Sequence, residues 1–246
     1  MSLFIRPESM GWGNIALCLS DLCYSCKDPK VHESINDVER GVVFSGFTIT
    51  DRKDLEEYKP RICVNPYFYS VIHRNLSTII QPSDIMKKMI EANKHLVGDI
   101  GIHIRRGAHS SDSSNVGCHV NEDGSIRPAY FASDSALEKF LKVVHSTPGT
   151  VYLASDSREV KSLFKKTFPG RIRTLDTEVV LTYKCDVLKN YEVTEESRLN
   201  CYLEWFLLSM CSTVYITGGA PDGCSISTFG YSAAAYGKKP INVISN

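Results

Sequence analysis

Apolar and polar positions alternate in blocks along the second half of the chain, and the blocks predict strands and helices in turn. The strand-like runs are GDIGIHI, TVYLAS, RIRTL, TVYITG and PINVI, and the helical patterns between them are ASDSALEKFLKVVHS, SREVKSLFKKTFP, EESRLNCYLEWFLLSMC and STFGYSAAAYG. Strands separated by helices of this length are typical of right-handed βαβ units on a mostly parallel sheet. The pattern therefore predicts an α/β, Rossmann-like lobe over residues 96–246.

The first 95 residues carry a less regular pattern. A short strand, SLFIR, precedes the Gly-rich turn MGWGN, which opens a helix, IALCLSDLCYSC, and short strand candidates follow at VVFSGF and RICV. A further helix is predicted within QPSDIMKKMIEANKHL, where Ser83 can cap the first turn. This change in character predicts a reduced N-terminal lobe over residues 1–95.

The net charge and the hydropathy of the sequence exclude several classes of binding partner. With 28 basic and 28 acidic residues, the formal net charge is zero, which argues against nucleic acid or an anionic membrane as a general partner. No apolar run approaches the roughly 18 residues of a membrane helix, and the N-terminus lacks a signal-peptide core. We therefore expect a cytoplasmic protein without a membrane span. Nothing in the sequence indicates the oligomeric state.

Polar residues follow three of the predicted strands and are the candidate site. They are His103, Arg105 and Arg106 after the first strand, Asp156 after the second, and Ser227, Thr228 and Phe229 at the helix that follows TVYITG. The carboxyl ends of parallel strands meet at the edge of the sheet where ligands bind. Paired guanidiniums and a helix N-terminus both suit phosphate. The alternatives are a structural salt bridge for one arginine, and plain helix capping for Ser227, Thr228 and Asp156.

These segments resemble a known family. GIHIRRG is similar to the HxRRGD signature of the fucosyltransferase superfamily, which has a metal-independent GT-B fold and includes α1,2-, α1,6- and protein O-fucosyltransferases. VYLASDSREVKSLFKKTFPGRI resembles the second motif of that family, and YLEWFLLSMCSTVYIT with STFGYSAAAYG resembles the third. GWGNIAL is similar to the GxGN turn that opens the acceptor-side lobe.

The resemblance implies a two-lobed, GT-B-like enzyme whose first lobe faces the acceptor. It implies inverting transfer of L-fucose from GDP-fucose to a glycan or glycoconjugate acceptor, with no metal and no other cofactor. On this basis Arg105 and His103 are the catalytic pair, and Arg105 meets the departing diphosphate. The donor-binding residues would be Gly13, Asn14, Arg106, Asp156, Ser227, Thr228 and Phe229.

The chain also departs from the family pattern. Ala108 stands where the signature has Asp, and the next carboxylate is Asp112. Glu8, His109 and Asp112 are candidates for a general base by position alone. Two alternatives stay open: a transferase that uses another nucleotide sugar, such as GDP-rhamnose or a UDP sugar, and a catalytically silent nucleotide- or glycan-binding module.

The prediction of no metal also has a basis in the residues. No Asp-x-Asp motif occurs, and the nearest variant, Asp176-Thr-Glu178, is typical of a solvated turn. The only CxxC, Cys23 to Cys26, has no second pair to complete a zinc site. Because the chain shows no Golgi-type anchor or disulfide plan, we expect a microbial or viral enzyme or an excised domain.

Overall fold

The computed structural model describes residues 4–5, 12–32, 41–50, 75–106, 119–120, 126–127, 132–176, 194–219 and 226–246. In chain order the elements are β1 (Phe4–Ile5), α1 (Trp12–Ser25), β2 (Lys30–His32), β3 (Val42–Phe44), β4 (Thr48–Thr50), α2 (Leu76–Ile79), β5 (Ile80–Pro82), α3 (Asp84–Asn93), a 3₁₀ turn (Lys94–Leu96), β6 (Ile100–Ile104), β7 (His119–Val120), β8 (Ile126–Arg127), α4 (Asp134–Ser146), β9 (Val151–Ser155), α5 (Arg158–Thr167), β10 (Ile172–Arg173), α6 (Glu195–Met210), β11 (Thr213–Gly219), α7 (Thr228–Gly237) and β12 (Ile241–Ser245).

The second half of the chain forms a five-stranded parallel sheet in the order β10-β9-β6-β11-β12. Counted along the chain within this sheet, the strand order is 3-2-1-4-5. The five strands and the four helices between them are those that the hydrophobic pattern predicts. The predicted α/β fold class with a parallel sheet is therefore confirmed, and the direction of winding reverses between β6 and β11.

Burial on both faces explains why the strands are continuous apolar runs. Every residue of β6 and β9 is buried. On one side Ile102 and Leu153 pack with the residues of α4 and α5, and on the other side Tyr152 and Ile216 pack with α1, α6 and α7. Since both faces are covered by helices, the strands show no polar–apolar alternation.

Hydroxyl side chains cap five of the described helices. Ser133, Ser157, Thr194 and Ser227 each cap a helix, and each accepts a hydrogen bond from a backbone N–H in the first turn. Such caps satisfy amides that have no partner within the helix. The predicted cap at Ser83 is also confirmed, since its Oγ accepts from the N–H of Met86 at 3.2 Å.

The first part of the chain contributes two small sheets. Strands β1, β2 and β4 form a parallel sheet, and β3 pairs with β5 in an antiparallel pair. The short strands β2 and β4, and the antiparallel pair β7–β8, were not expected from the pattern. The candidate strand RICV lies outside the described residues.

The lobe boundary at residues 95 and 96 stays a prediction. Helix α1 from the first part packs against α7 from the end of the chain, within one buried core. Trp12 of α1 lies edge-on to Tyr202 and Trp205 of α6, with ring centroids 4.8 and 5.4 Å apart. Among the described helices, none combines the length and apolar character needed to cross a membrane.

Candidate functional site

The candidate site lies at the carboxyl end of β6, where the winding of the sheet reverses. Strand β6 pairs with β11 as far as His103 opposite Ile216, and with β9 as far as Ile104 opposite Ser155. Beyond these pairs β9 and β11 lead to α5 and α7. A crevice at such a switch point is where open α/β sheets bind ligands.

Arg105 is the first residue beyond β6, and its backbone is held on both sides. Its N–H donates to Oγ1 of Thr217 at 3.0 Å, and its carbonyl oxygen accepts from the N–H of Ala132 at 2.7 Å. The side chain of Arg105 is half-buried, and its charge adds to the larger effect of burial in lowering the pKa of His103. The residue predicted to meet a diphosphate therefore lies at the switch point on a fixed backbone.

His103 is buried beneath the start of α7, with a relative exposure of 7%. Its Nδ1 atom is hydrogen-bonded to Oγ of Ser227 at 3.0 Å, and its ring lies 4.9 Å from the ring of Phe229 at an angle of 30°. Burial, with a smaller contribution from the charge of Arg105, lowers the pKa of His103 to about 3. The imidazole is therefore neutral near pH 7 and suits a positioning role better than that of a cation.

Helix α7 brings its N-terminus to the same place. Ser227 caps the helix through the N–H of Gly230 at 3.5 Å, and its own N–H donates to the carbonyl oxygen of Thr217 at 2.9 Å. A Cβ on Gly230 would lie 2.6 Å from Cγ2 of Ile216 and 3.1 Å from Cβ of His103. Only glycine at residue 230 lets the first turn of α7 lie this close to the strand.

The side chain of Arg106 contacts the start of α4 and the residue before its cap. Its N–H donates to Oδ1 of Asp156 at 2.7 Å, and its Nη1 donates to the carbonyl oxygen of Ala132 at 2.6 Å. Its Nη2 forms an ion pair with Asp134 at the start of α4. The structural salt bridge that the sequence left open for one arginine is thus present at Arg106. Its role toward a nucleotide stays a prediction, as does that of Asp156.

The Gly-rich turn meets α7 directly. A Cβ on Gly13 would lie 2.4 Å from the backbone N of Phe229 and 2.4 Å from the backbone C of Thr228. Asn14 is the next residue of α1, is half-buried, and makes no side-chain hydrogen bond with the residues described. Gly13 therefore lies beside residues 228 and 229, and Asn14 follows it in the helix; the binding roles of these residues remain predictions.

Several other candidates fall on residues whose structure is not described. These are Glu8, Gly11, Ala108, His109 and Asp112. The three candidates for a general base are among them. The loop of residues 220–225, which connects β11 to α7, is likewise outside the described ranges.

Sequence reasoning did not single out Thr217 or Gly230. The sequence signal for Thr217 was a polar residue at the end of an apolar strand that leads to α7, the helix predicted to bind phosphate.

Sequence reasoning also missed a buried ion pair, in which Nζ of Lys161 on α5 lies 2.8 Å from Oε1 of Glu204 on α6. Burial raises the pKa of Glu204, and Lys161 opposes that shift. The sequence signal for this ion pair was the lone glutamate, Glu204, within the apolar run YLEWFLL.

No group of three or more His, Cys, Asp or Glu side chains is arranged to hold a metal ion within the part of the chain that the structure describes. The expectation of a metal-free site stays a prediction. The local chemistry consists of one half-buried arginine, a helix N-terminus and a neutral imidazole.

The fold is similar to crystal structures of NodZ alpha-1,6-fucosyltransferase. One, co-crystallised with GDP, aligns with a TM-score of 0.55 and 14% identity over 95% of this chain and 91% of that chain. Another, soaked with GDP-fucose, aligns with a TM-score of 0.54 and 12% identity over 96% of this chain and 92% of that chain. POFUT1 in complex with GDP-fucose aligns with a TM-score of 0.46 and 10% identity, over 99% and 98% of the two chains.

No protein-family model and no curated protein matches the sequence. At these identities the structural similarity is one of fold. At that level the predicted resemblance to fucosyltransferases is confirmed.

Proposed function

We propose that this protein is an inverting glycosyltransferase that transfers L-fucose from GDP-fucose to a glycan or glycoconjugate acceptor. The observation that carries the proposal is the position of Arg105 at the switch point of a 3-2-1-4-5 parallel sheet, beside the N-terminus of α7. A guanidinium and a helix N-terminus at one strand end form an anion site of the kind that binds a diphosphate.

The chemistry of sugar transfer explains why such a site is useful. Breaking the bond between the sugar and the β-phosphate oxygen leaves negative charge on the departing diphosphate. Fixed donors that face this charge stabilise the transition state, and they need no reorganisation during the reaction. In the proposed enzyme Arg105 donates to the diphosphate, and the first turn of α7 at Thr228 and Phe229 binds its oxygens, while Ser227, buried and bonded to His103, caps the helix.

His103 acts in this proposal without changing its protonation state. A neutral ring bonded to Ser227 and packed on Phe229 fixes the start of α7 relative to β6. Since the pKa of His103 is lowered to about 3 by burial, the imidazole does not compete with Arg105 for the diphosphate as a second cation. His103 therefore orients the helix that binds the phosphates.

Arg106 and Asp156 form the nucleoside side of the proposed site. Asp156 accepts the N–H of Arg106, and it lies at the carboxyl end of β9, next to β6 in the sheet. We place the guanosine at this edge and the acceptor beyond Asn14 and Gly13, whose helix touches Thr228 and Phe229. The proposed reaction uses no metal, because Arg105 and the N–H groups of α7 take the part that a cation has in metal-dependent transferases.

The choice of donor is supported by the ligands of the structural neighbours. One NodZ structure was co-crystallised with GDP and another was soaked with GDP-fucose. A transferase for GDP-rhamnose or a UDP sugar would use the same fold, and so would a silent nucleotide- or glycan-binding module. The experiment has to separate these possibilities.

A thermal-shift panel with GDP, UDP and dTDP tests the proposal. A nucleotide at 100 times its dissociation constant stabilises the fold by about 2.7 kcal/mol, which gives a clear shift of the melting temperature. We expect stabilisation by GDP, a smaller effect of UDP and dTDP, and a reduced GDP shift in Arg105→Ala. Absence of stabilisation by any nucleoside diphosphate would contradict the proposal.

Turnover then separates an enzyme from a binding module. We expect the protein to release GDP from GDP-fucose in the presence of glycan acceptors. Binding of GDP-fucose without release of GDP across a panel of acceptors would favour the silent module, and release from GDP-rhamnose alone would favour the other donor.

A further inference from the structure

We propose that Thr217 is a positioning residue that holds Arg105 and the cap of α7 at a fixed separation. The part that concerns a diphosphate rests on the proposed function, while the mechanical part rests on the geometry alone. Thr217 is fully buried, with a relative exposure of 0%, so it acts through its neighbours and not by contact with a ligand.

The hydroxyl of Thr217 continues the connection between β6 and β11 where their regular pairing stops. The last register pair of these strands is Ile216 with His103. One step further, Oγ1 of Thr217 accepts from the N–H of Arg105 at 3.0 Å and donates to the carbonyl oxygen of His103 at 3.3 Å. A single hydroxyl therefore binds both backbone groups that flank Ile104.

An irregularity in β11 accompanies this arrangement. The pairing of β11 with β12 shifts register between Thr217 and Gly219. Such bulges re-aim side chains at the ends of strands and are common beside functional sites. Here the irregularity lies at the residue whose side chain reaches the backbone of β6.

The backbone of Thr217 reaches the other wall of the site. Its carbonyl oxygen accepts the N–H of Ser227 at 2.9 Å, and Ser227 caps α7. Thr217 thus bonds Arg105 with its side chain and Ser227 with its main chain. Thr217 therefore fixes the distance from Arg105 to the start of α7, together with the bond between His103 and Ser227.

Substitutions at residue 217 can separate the hydroxyl from the rest of the side chain. Thr217→Val keeps the branched shape and removes both hydrogen bonds, while Thr217→Ser keeps the hydroxyl. Thr217→Ala is a second variant without the hydroxyl and carries no risk of overpacking. Thr213→Val is the matched control, because Thr213 lies on the same strand at the far end, opposite Ile100.

Amide hydrogen exchange of the protein without ligand tests the mechanical part. We expect the N–H of Arg105 to exchange about tenfold faster in Thr217→Val and Thr217→Ala, since a lost hydrogen bond of this kind is of that order. Wild-type protection is expected in Thr217→Ser and Thr213→Val. Unchanged protection of Arg105 in both variants that lack the hydroxyl would overturn the inference.

GDP affinity, measured by calorimetry, tests the positioning of Arg105. We expect Thr217→Val to bind GDP about tenfold more weakly, and Thr217→Ser and Thr213→Val to bind within about twofold of wild type. In the Arg105→Ala background Thr217→Val should weaken binding no further, because its effect passes through Arg105. An equal loss in both backgrounds would show a general structural role and would overturn the inference.

The two proposals fail in different ways. If the wild-type protein binds no nucleoside diphosphate, the proposed function is wrong, and the exchange of the Arg105 amide alone decides whether Thr217 holds that residue. If wild type and Thr217→Val bind GDP equally, the proposed function stands and the positioning role is wrong.

Discussion

The Nδ1 atom of His103 lies 3.0 Å from Oγ of Ser227, and the two residues are 124 positions apart in the chain. One belongs to the first strand of the main sheet and the other caps the helix after the fourth. Because both atoms are buried, the bond ties the end of β6 to the start of α7 without competition from water. It also ties the stability of the site to the charge of the imidazole.

The His103 imidazole should make the fold sensitive to acid. Burial lowers its pKa from 6.5 to about 3 in the folded protein, so below pH 6.5 the unfolded chain takes up a proton that the folded chain does not. The contribution of His103 is complete above pH 6.5 and is lost as the pH falls from there toward 3. Between pH 6.5 and pH 5 the loss is about 2 kcal/mol of unfolding free energy.

Denaturant unfolding of His103→Asn and of wild type at these two pH values checks this. The free energy of unfolding that is lost between pH 6.5 and pH 5 should be smaller by about 2 kcal/mol in His103→Asn than in wild type. His145→Asn serves as the control for the loss of a histidine, because His145 is exposed on α4. The same pH dependence in His103→Asn and wild type would contradict the assignment.

Arg105→Ala should lower turnover by about 100- to 1,000-fold, as is typical when one fixed donor to developing charge is removed. Arg105→Lys should also be poor, since an ammonium does not reproduce the donor fork of a guanidinium. Steady-state release of GDP measures both variants, with Lys142→Ala on the exposed face of α4 as the control. A folded Arg105→Ala protein with nearly full turnover would refute the role of Arg105.

Gly13→Ala should destabilise the protein by about 1 to 3 kcal/mol, because overpacking forces the neighbouring backbone to move. The added Cβ would meet the backbone of Thr228 and Phe229 at 2.4 Å. The free energy of unfolding measures the effect, and Tyr24→Ala on the same helix, where Tyr24 is 58% exposed, should stay within about 0.5 kcal/mol of wild type. Wild-type stability of Gly13→Ala would mean that the two helices lie further apart.

Turnover should persist in an excess of EDTA, since the proposed site meets the diphosphate charge with Arg105 and the N–H groups of α7. Release of GDP from GDP-fucose, with and without the chelator, measures this. Loss of turnover that added Mn²⁺ restores would show that a metal takes part and would refute the metal-free mechanism.

The main sheet was predictable because its strands are buried on both faces and alternate with long helices, which leaves a strong hydrophobic pattern. The convergence of His103, Arg105 and Ser227 followed from one general property, namely that parallel strands end at a common edge. Strands of two or three residues, such as β2 and β7, are too short to show a period, and the sequence did not reveal them.

Contacts that depend on register could not be read from the chain. The bond from Arg105 to Thr217 exists because β6 and β11 pair in one register and β11 becomes irregular at Thr217. The sequence likewise left open which arginine would form a salt bridge, because the choice depends on where α4 begins. Asp134, in the first turn of that helix, forms an ion pair with Arg106.

The contact of Gly13 with Thr228 and Phe229 also has a consequence for biosynthesis. Helix α1 is made before its partner α7, which follows roughly 200 residues later, and at usual rates of translation this corresponds to about 10 to 40 s. During that interval the apolar face of α1 has no native partner in α7. The apolar face of α1 is therefore open to chaperones until α7 has been made, and the Gly-rich turn reaches its native place only after that point.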